Sequence, residues 1–212
     1  IWVYPANNDL EKLKEKVLIT RTLTADVAHR LENGESVLLM PDASEQTVGG
    51  LFQTDYWNYR MFKTISENNN RHVSPGTLGI LTDPAHPLFA SFPTEMHTNW
   101  QWFPVVKASH PFKLDNTAAD YRPIVQVIDN IERNHKLGLV FEFAVGKGKL
   151  LVVMSDLDKA AEYPEGEQFY LSVLSYMTSQ HFAPKTAITV ADFHRLMTTP
   201  VVAGEIGKLN NI

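Results

Sequence analysis

The run VLITRTLTADVAHRLENGESVLLMPD, residues 17–42, reads as strand, helix and strand, and each boundary carries the chemistry that such a boundary needs. Residues 17–19 and 37–40 are short, apolar and rich in branched side chains, the pattern of strands covered by helices on both faces. Both are expected as central parallel strands. Between them Thr24 is placed to cap a helix starting at Ala25, and Asp26 falls in the first turn, where the helix dipole favours an acid. Val27, Ala28 and Leu31 share one face, and Gly34 supplies the left-handed stop. A crossover of this length joins parallel strands in the right-handed sense. The chain therefore reads as α/β, and open α/β sheets place ligands outside the carboxyl ends of their strands. After the second strand that place reads Pro41, Asp42, Ala43, Ser44.

Working outward, residues 77–82 (TLGILT), 124–129 (IVQVID), 137–143 (LGLVFEF) and 149–155 (KLLVVMS) read as further strands. The last two are joined by AVGKG, residues 144–148, a turn suited to an antiparallel hairpin, which is expected at the edge of a mostly parallel three-layer sheet. Gly146, Lys147 and Gly148 do not make a phosphate loop, because the G-x-x-x-x-G-K-[ST] frame is missing and a strand follows instead of a helix. Residues 54–66 suggest an aromatic helix, and Asp83-Pro84 the cap and first turn of a short helix around 87–90. Residues 165–182 form an amphipathic pattern, with Phe169, Val173, Tyr176 and Met177 at spacings of three and four, and 189–197 a last short helix. Residues 91–116, with five aromatic side chains and three prolines, show no sustained period and are expected to pack irregularly. Residues 1–185 are read as one α/β domain and 186–212 as a C-terminal helix and tail. Ile1 enters what reads as a strand in mid-stride, which suggests a piece of a larger polypeptide.

Composition narrows the function classes. With 212 residues, 44% hydrophobic and 20% charged, the chain can bury a full core. A net charge of -5 and no Lys/Arg run longer than two leave no electrostatic footprint for nucleic acid or an anionic membrane, so neither is expected as a partner. The absence of cysteine excludes disulfides, thiolate metal sites and cysteine nucleophiles.

Two long stretches carry a family resemblance: DPAHPLFASFPTEMHTNWQWFPV, residues 83–105, and YRPIVQVIDNIERNHKLGLVFEFAVGKGKLLVVMSDL, residues 121–157. With the opening strand-helix-strand unit they resemble the C-terminal accessory portion of bacterial family-two glycoside hydrolases. The resemblance implies a ThuA-like, class I glutamine-amidotransferase-like fold, also akin to the oligomerisation domain of some β-galactosidases. It further implies export, and as partner the catalytic domain of the same polypeptide or a second subunit. In working amidotransferases the nucleophilic cysteine follows the strand corresponding to 37–40, and a His-Glu pair follows the one corresponding to 150–154. Here those vestigial positions read Asp42 and then Ser155 and Asp156, so no catalytic residue and no cofactor are expected.

Three other constellations have to be weighed. Asp83, His86 and His97, with His110 nearby, would make a metal set, but no H-x-H or H-E-x-x-H pattern is present, and no metal is expected. Among the acids Asp129, Glu132 and Glu142 of the strand-rich part, Glu142 is turned by alternation away from Phe141 and Phe143 and reads as a hydrogen-bonded acid, not half of a hydrolytic pair. The aromatic group Tyr56, Trp57, Tyr59, Trp100 and Trp102 suggests a glycan platform, with Asn99 and Gln101 taking hydroxyls. Alternation would put Trp100 and Trp102 on one side and Asn99 and Gln101 on the other. The competing reading makes these rings core plugs. On balance the residues point to a non-catalytic packing or oligomerisation module, with a carbohydrate-binding module as alternative and a stand-alone Asp/Ser/His hydrolase third.

Overall fold

In the computed structural model, which describes residues 2–5, 9–52, 64–65, 68–70, 76–130 and 133–201, the opening unit forms as its boundary residues dictate. A short helix, α1 (Leu10–Lys14), precedes β1 (Leu18–Thr20), which pairs in parallel with β2 (Ser36–Leu39), Leu18 opposite Val37. Between them α2 (Ala25–Glu32) is capped by the Thr24 hydroxyl, which accepts the Val27 N–H at 3.3 Å. Its C-terminus closes in a Schellman motif: the N–H of Glu35 reaches the Arg30 carbonyl, that of Gly34 reaches Leu31, and Gly34 sits at φ +118.

The remaining strands are β3 (Gly79–Thr82), β4 (Phe112–Lys113), β5 (Val125–Ile128), β6 (Lys136–Val145) and β7 (Gly148–Val153). Together the described residues form a seven-stranded sheet in the order β1-β2-β7-β6-β5-β3, with β4 against β6. β7 lies parallel to β2, whereas β6 is antiparallel to β7, β5 and β4, and β5 to β3. The sheet is therefore mixed: β1, β2, β7, β5 and β4 run one way, β6 and β3 the other.

This arrangement corrects two expectations. The strand from the 17–19 signal is an edge strand, half-buried along its length, not a central one. The β6–β7 hairpin, expected at the edge, occupies the middle. Its turn is the two-residue Gly146-Lys147, with Gly146 at φ +60 as a type II′ connection requires. Apolar runs mark both kinds of strand in sequence. Residues 150–152, all fully buried, have a pairing partner on either side and two covered faces, which residues 18–20 lack.

Helices cover both faces of the sheet. α3 (Phe103–Lys107), α4 (Leu157–Ala160) and α5 (Pro164–Met177) pack together with α1, and Tyr176 of α5 meets Glu142 of β6. Alternation turns Phe143 to the opposite face, where its ring meets Phe193 of α6 (Val190–Thr198) at 6.1 Å. Residues 186–198 thus join the same core: Ile188 and Thr186 flank Ala144 with backbone hydrogen bonds. The helix expected over 165–182 stops at Met177, and the chain turns at Thr178 and Ser179, whose hydroxyls bond back to carbonyls of the last turn.

Two 3₁₀ turns, Pro87–Phe89 just before the irregular stretch and Trp100–Trp102 within it, bury Phe89 and Trp102, whereas Trp100 and Phe103 stay exposed. The first is capped by His86, whose Nδ1 accepts the Leu88 N–H at 3.2 Å; Asp83, expected as the cap, instead accepts from Ala85 in a tight turn just before it. Residues 2–5 form no strand. They are held by Tyr4, stacked on Phe92, whose hydroxyl donates to Gln101 Oε1 at 2.9 Å. Burial and the nearby Glu165 push that phenol up to about 12. The aromatic helix expected over 54–66 lies, apart from residues 64–65, outside the described residues.

Candidate functional site

The parallel strands β1, β2 and β7 end side by side, and the residues just beyond them form one charged cluster. Arg21, directly after β1, donates from Nη1 to Asp42 Oδ1 at 3.3 Å and from Nη2 to Asp156 Oδ1 at 3.2 Å. Asp158 approaches the same guanidinium at 3.9 Å. Asp156 also caps α4, accepting the Lys159 N–H at 3.3 Å, and meets the Lys159 ammonium at 3.3 Å. Burial alone would raise its carboxyl, but the Lys159 contacts and the Arg21 guanidinium outweigh this and hold it below the usual carboxylate range. Burial likewise opposes the charge on Arg21, and its bonds to Asp156 and Asp42 more than offset that, so its pKa is raised.

No nucleophile emerges from this cluster. The Ser155 hydroxyl is buried and donates to the Val105 carbonyl at 2.8 Å, and the flanking backbone is tied to residues 108–110. The Asp42 side chain is 81% exposed and pairs with Arg21. His110 approaches the end of β2 but spends Nε2 on the Pro41 carbonyl at 2.7 Å, an arrangement that fixes its proton there. Ser44 receives the N–H of Gln46 in a local turn. A nucleophile needs a base within hydrogen-bond reach, and among the described residues neither Ser44 nor Ser155 is bonded to one. Arg21 was not singled out in the sequence; its position immediately after a strand, beside two other strand ends carrying acids, was the available signal.

Because Asp156 is held low, its pairing contributes stability that is present above the unfolded-state value of about 3.9 and is lost as pH falls through the lower folded value. Asp156→Asn is therefore expected to melt less steeply with acidification below about pH 5 than the parent. Identical slopes in the two proteins would remove the ion-pair lock from consideration.

The aromatic group divides. Trp102 has no exposed surface; its ring meets Phe89, Phe92 and Phe169 at 5.0 to 6.0 Å and its Nε1 donates to Thr94 Oγ1 at 2.8 Å. Gln101 is equally buried, donating to the Pro93 carbonyl and accepting from Tyr4. Trp100 is 72% exposed and stacks on Phe103 at 5.2 Å, and Asn99, half-buried, leads into the turn. The expected alternation fails because the segment is a 3₁₀ turn, in which neighbours splay around an axis rather than across a sheet. Trp57, with Tyr56 and Tyr59, lies outside the described residues.

The other acids and histidines have structural partners. The buried Asp129 holds the half-buried Arg133 at 2.6 Å, and Tyr176 donates to Glu142 at 2.7 Å; Glu132 is outside the described residues. His97 bonds the Thr98 carbonyl while His86 caps a turn. Among the described residues no three His, Asp or Glu come together as metal ligands, and no helix is long and apolar enough to cross a membrane.

No curated protein matches the chain. The model of one family, described as a domain of unknown function (DUF8487), matches residues 18–198, from the first strand to the last helix. Since that span takes in every strand of the sheet, all three strand ends of the charged cluster and the helices on both faces, the chain belongs to this family.

Proposed function

We propose that this chain is a non-catalytic module of class I glutamine-amidotransferase-like fold from a multidomain glycoside hydrolase, serving to pack against the catalytic part or a second subunit. The observation that carries the reading is that Arg21, Asp42, Ser155 and Asp156 at the strand ends are bonded to one another or to the fold. Where the resemblance puts the nucleophile, Asp42 is paired with Arg21, and where it puts the His-Glu pair, Ser155 is sealed against a carbonyl and Asp156 is neutralised by Arg21 and Lys159 while capping a helix. The long stretches at 83–105 and 121–157 support the hydrolase attribution. A packing role also suits the exposed aromatic strip in which Trp100 stacks on Phe103 and the Lys107 ammonium lies between the rings of Phe103 and Tyr163.

The chain is expected to turn over neither glutamine, aryl esters nor chromogenic glycosides. Turnover abolished by Asp42→Ala or Asp156→Ala overturns the proposal. Replacing Trp100 and Phe103 together by serine should weaken association with the catalytic part or a second copy by at least about 2 kcal/mol, as central aromatic anchors do. Light scattering that shows unaltered assembly would remove the strip from the interface.

A further inference from the structure

A cleft of about 860 Å³ opens between the start of β5, the middle of β6 and the C-terminal part of α5, a size suited to a small molecule. One half-buried carboxylate, Glu142, projects into it from β6, with the Tyr176 hydroxyl donating to its Oε2 at 2.7 Å. Among the described residues no cation stands within ion-pair distance of this carboxylate. The Lys149 ammonium, whose field reaches it, lies over the Phe182 ring, and Arg122 is turned to the carbonyls of Ala119 and Tyr121 at 2.7 and 3.1 Å. Burial pushes the Glu142 carboxyl above the ordinary range despite Tyr176 and Lys149. A desolvated anion whose nearest partner is a neutral phenol lacks a countercharge, and such a group in a cleft is a candidate ligand site.

The rest of the lining says what else the ligand carries. Asp83 and Asp120 stand with Glu142 against Arg122 and Lys185, leaving a formal excess of one negative charge. Burial lowers the pKa of His86 against the field of Asp83, favouring the neutral ring. Its Nδ1 accepts from Leu88, so the proton of the neutral imidazole sits on Nε2 as a donor. Gln126 adds an amide with both donors and an acceptor, and Pro87, Pro123 and Ile124 add apolar wall.

We propose that this cleft binds a small ligand bearing a protonated amine on a hydroxyl-rich ring, with the ammonium against Glu142 and hydroxyls against His86 and Gln126. A charge-assisted bond to the carboxylate is about twice as strong as a neutral one, so the amine sets the preference. The site is separate from the strand-end cluster and asks for no chemistry there.

The test is an amide-resolved NMR titration of the full chain with D-glucosamine and with D-glucose, which differ at one substituent. Glucosamine is expected to shift amides around 122–126, 142–144 and 176 and to bind at least about tenfold tighter than glucose. Glu142→Gln should make the two sugars equal. That variant keeps an acceptor for the Tyr176 hydroxyl and removes a buried charge, so it should melt no lower than the parent. Gln126→Lys, which tethers an ammonium in the cleft, should weaken glucosamine about tenfold as an independent check. Equal binding of both sugars to the parent, perturbations confined to another face, no perturbation by either sugar, or a preference that survives in Glu142→Gln would each overturn the proposal.

Discussion

Trp102→Ala is expected to cost about 3 to 5 kcal/mol, a large part of the stability of a domain of ordinary size. The ring has no exposed surface, contacts Phe89, Phe92 and Phe169, and satisfies its N–H on Thr94, so truncation leaves a cavity among rings that cannot collapse onto one another. Trp100→Ala, two residues away, should cost no more than about 1 kcal/mol, because that ring is 72% exposed and loses mainly its stack on Phe103. Urea unfolding of the two variants measures the difference. Equal midpoints would contradict the packing described for this turn. Loss of retention on polysaccharide by a well-folded Trp100→Ala would promote the carbohydrate-binding alternative, for which this exposed ring is the surface available among the described members of the group.

Asp129→Ala should be about as damaging, at roughly 3 to 5 kcal/mol, as expected when one partner of a buried ion pair is removed. Its side chain is 1% exposed and accepts from Arg133 Nη2 at 2.6 Å and from the backbone N–H groups of Asn130 at 2.8 Å and His135 at 3.0 Å. One carboxylate therefore ties the end of β5 to the start of β6, and losing it removes an acceptor from the half-buried Arg133 guanidinium and from two backbone N–H groups together. Asp129→Asn keeps an oxygen and the shape and should lie between the alanine variant and the parent. An alanine variant within about 1 kcal/mol of the parent would show that the pair contributes little. The carboxyl is thus architectural, which leaves it out of any acid pair for glycoside hydrolysis.

How far the sequence could be read depended on whether the signal was local. The cap at Thr24, the stop at Gly34 and the turn at Gly146 are set by backbone donors and dihedral angles within a few residues, and all three appear where their chemistry placed them. Strand existence was equally legible, because an apolar run between turns needs no knowledge of its neighbour. Strand order was not: residues 18–20 and 150–153 look alike in sequence, and only pairing made the first an edge and the second the centre. The turn at 100–102 defeated the alternation argument since a period of two holds only once a segment is known to be extended.

By itself, then, the sequence determined the α/β class, most element boundaries and the absence of a cysteine nucleophile, because each follows from residue type and short-range spacing. The tertiary structure alone decided which charges meet. Arg21, Asp42 and Asp156 come from the ends of three strands, and Glu142 and Tyr176 are 34 residues apart. Their meeting depends on strand order and on which face of the sheet each helix covers, and those are settled by the packing of the whole core and not by any window of the chain.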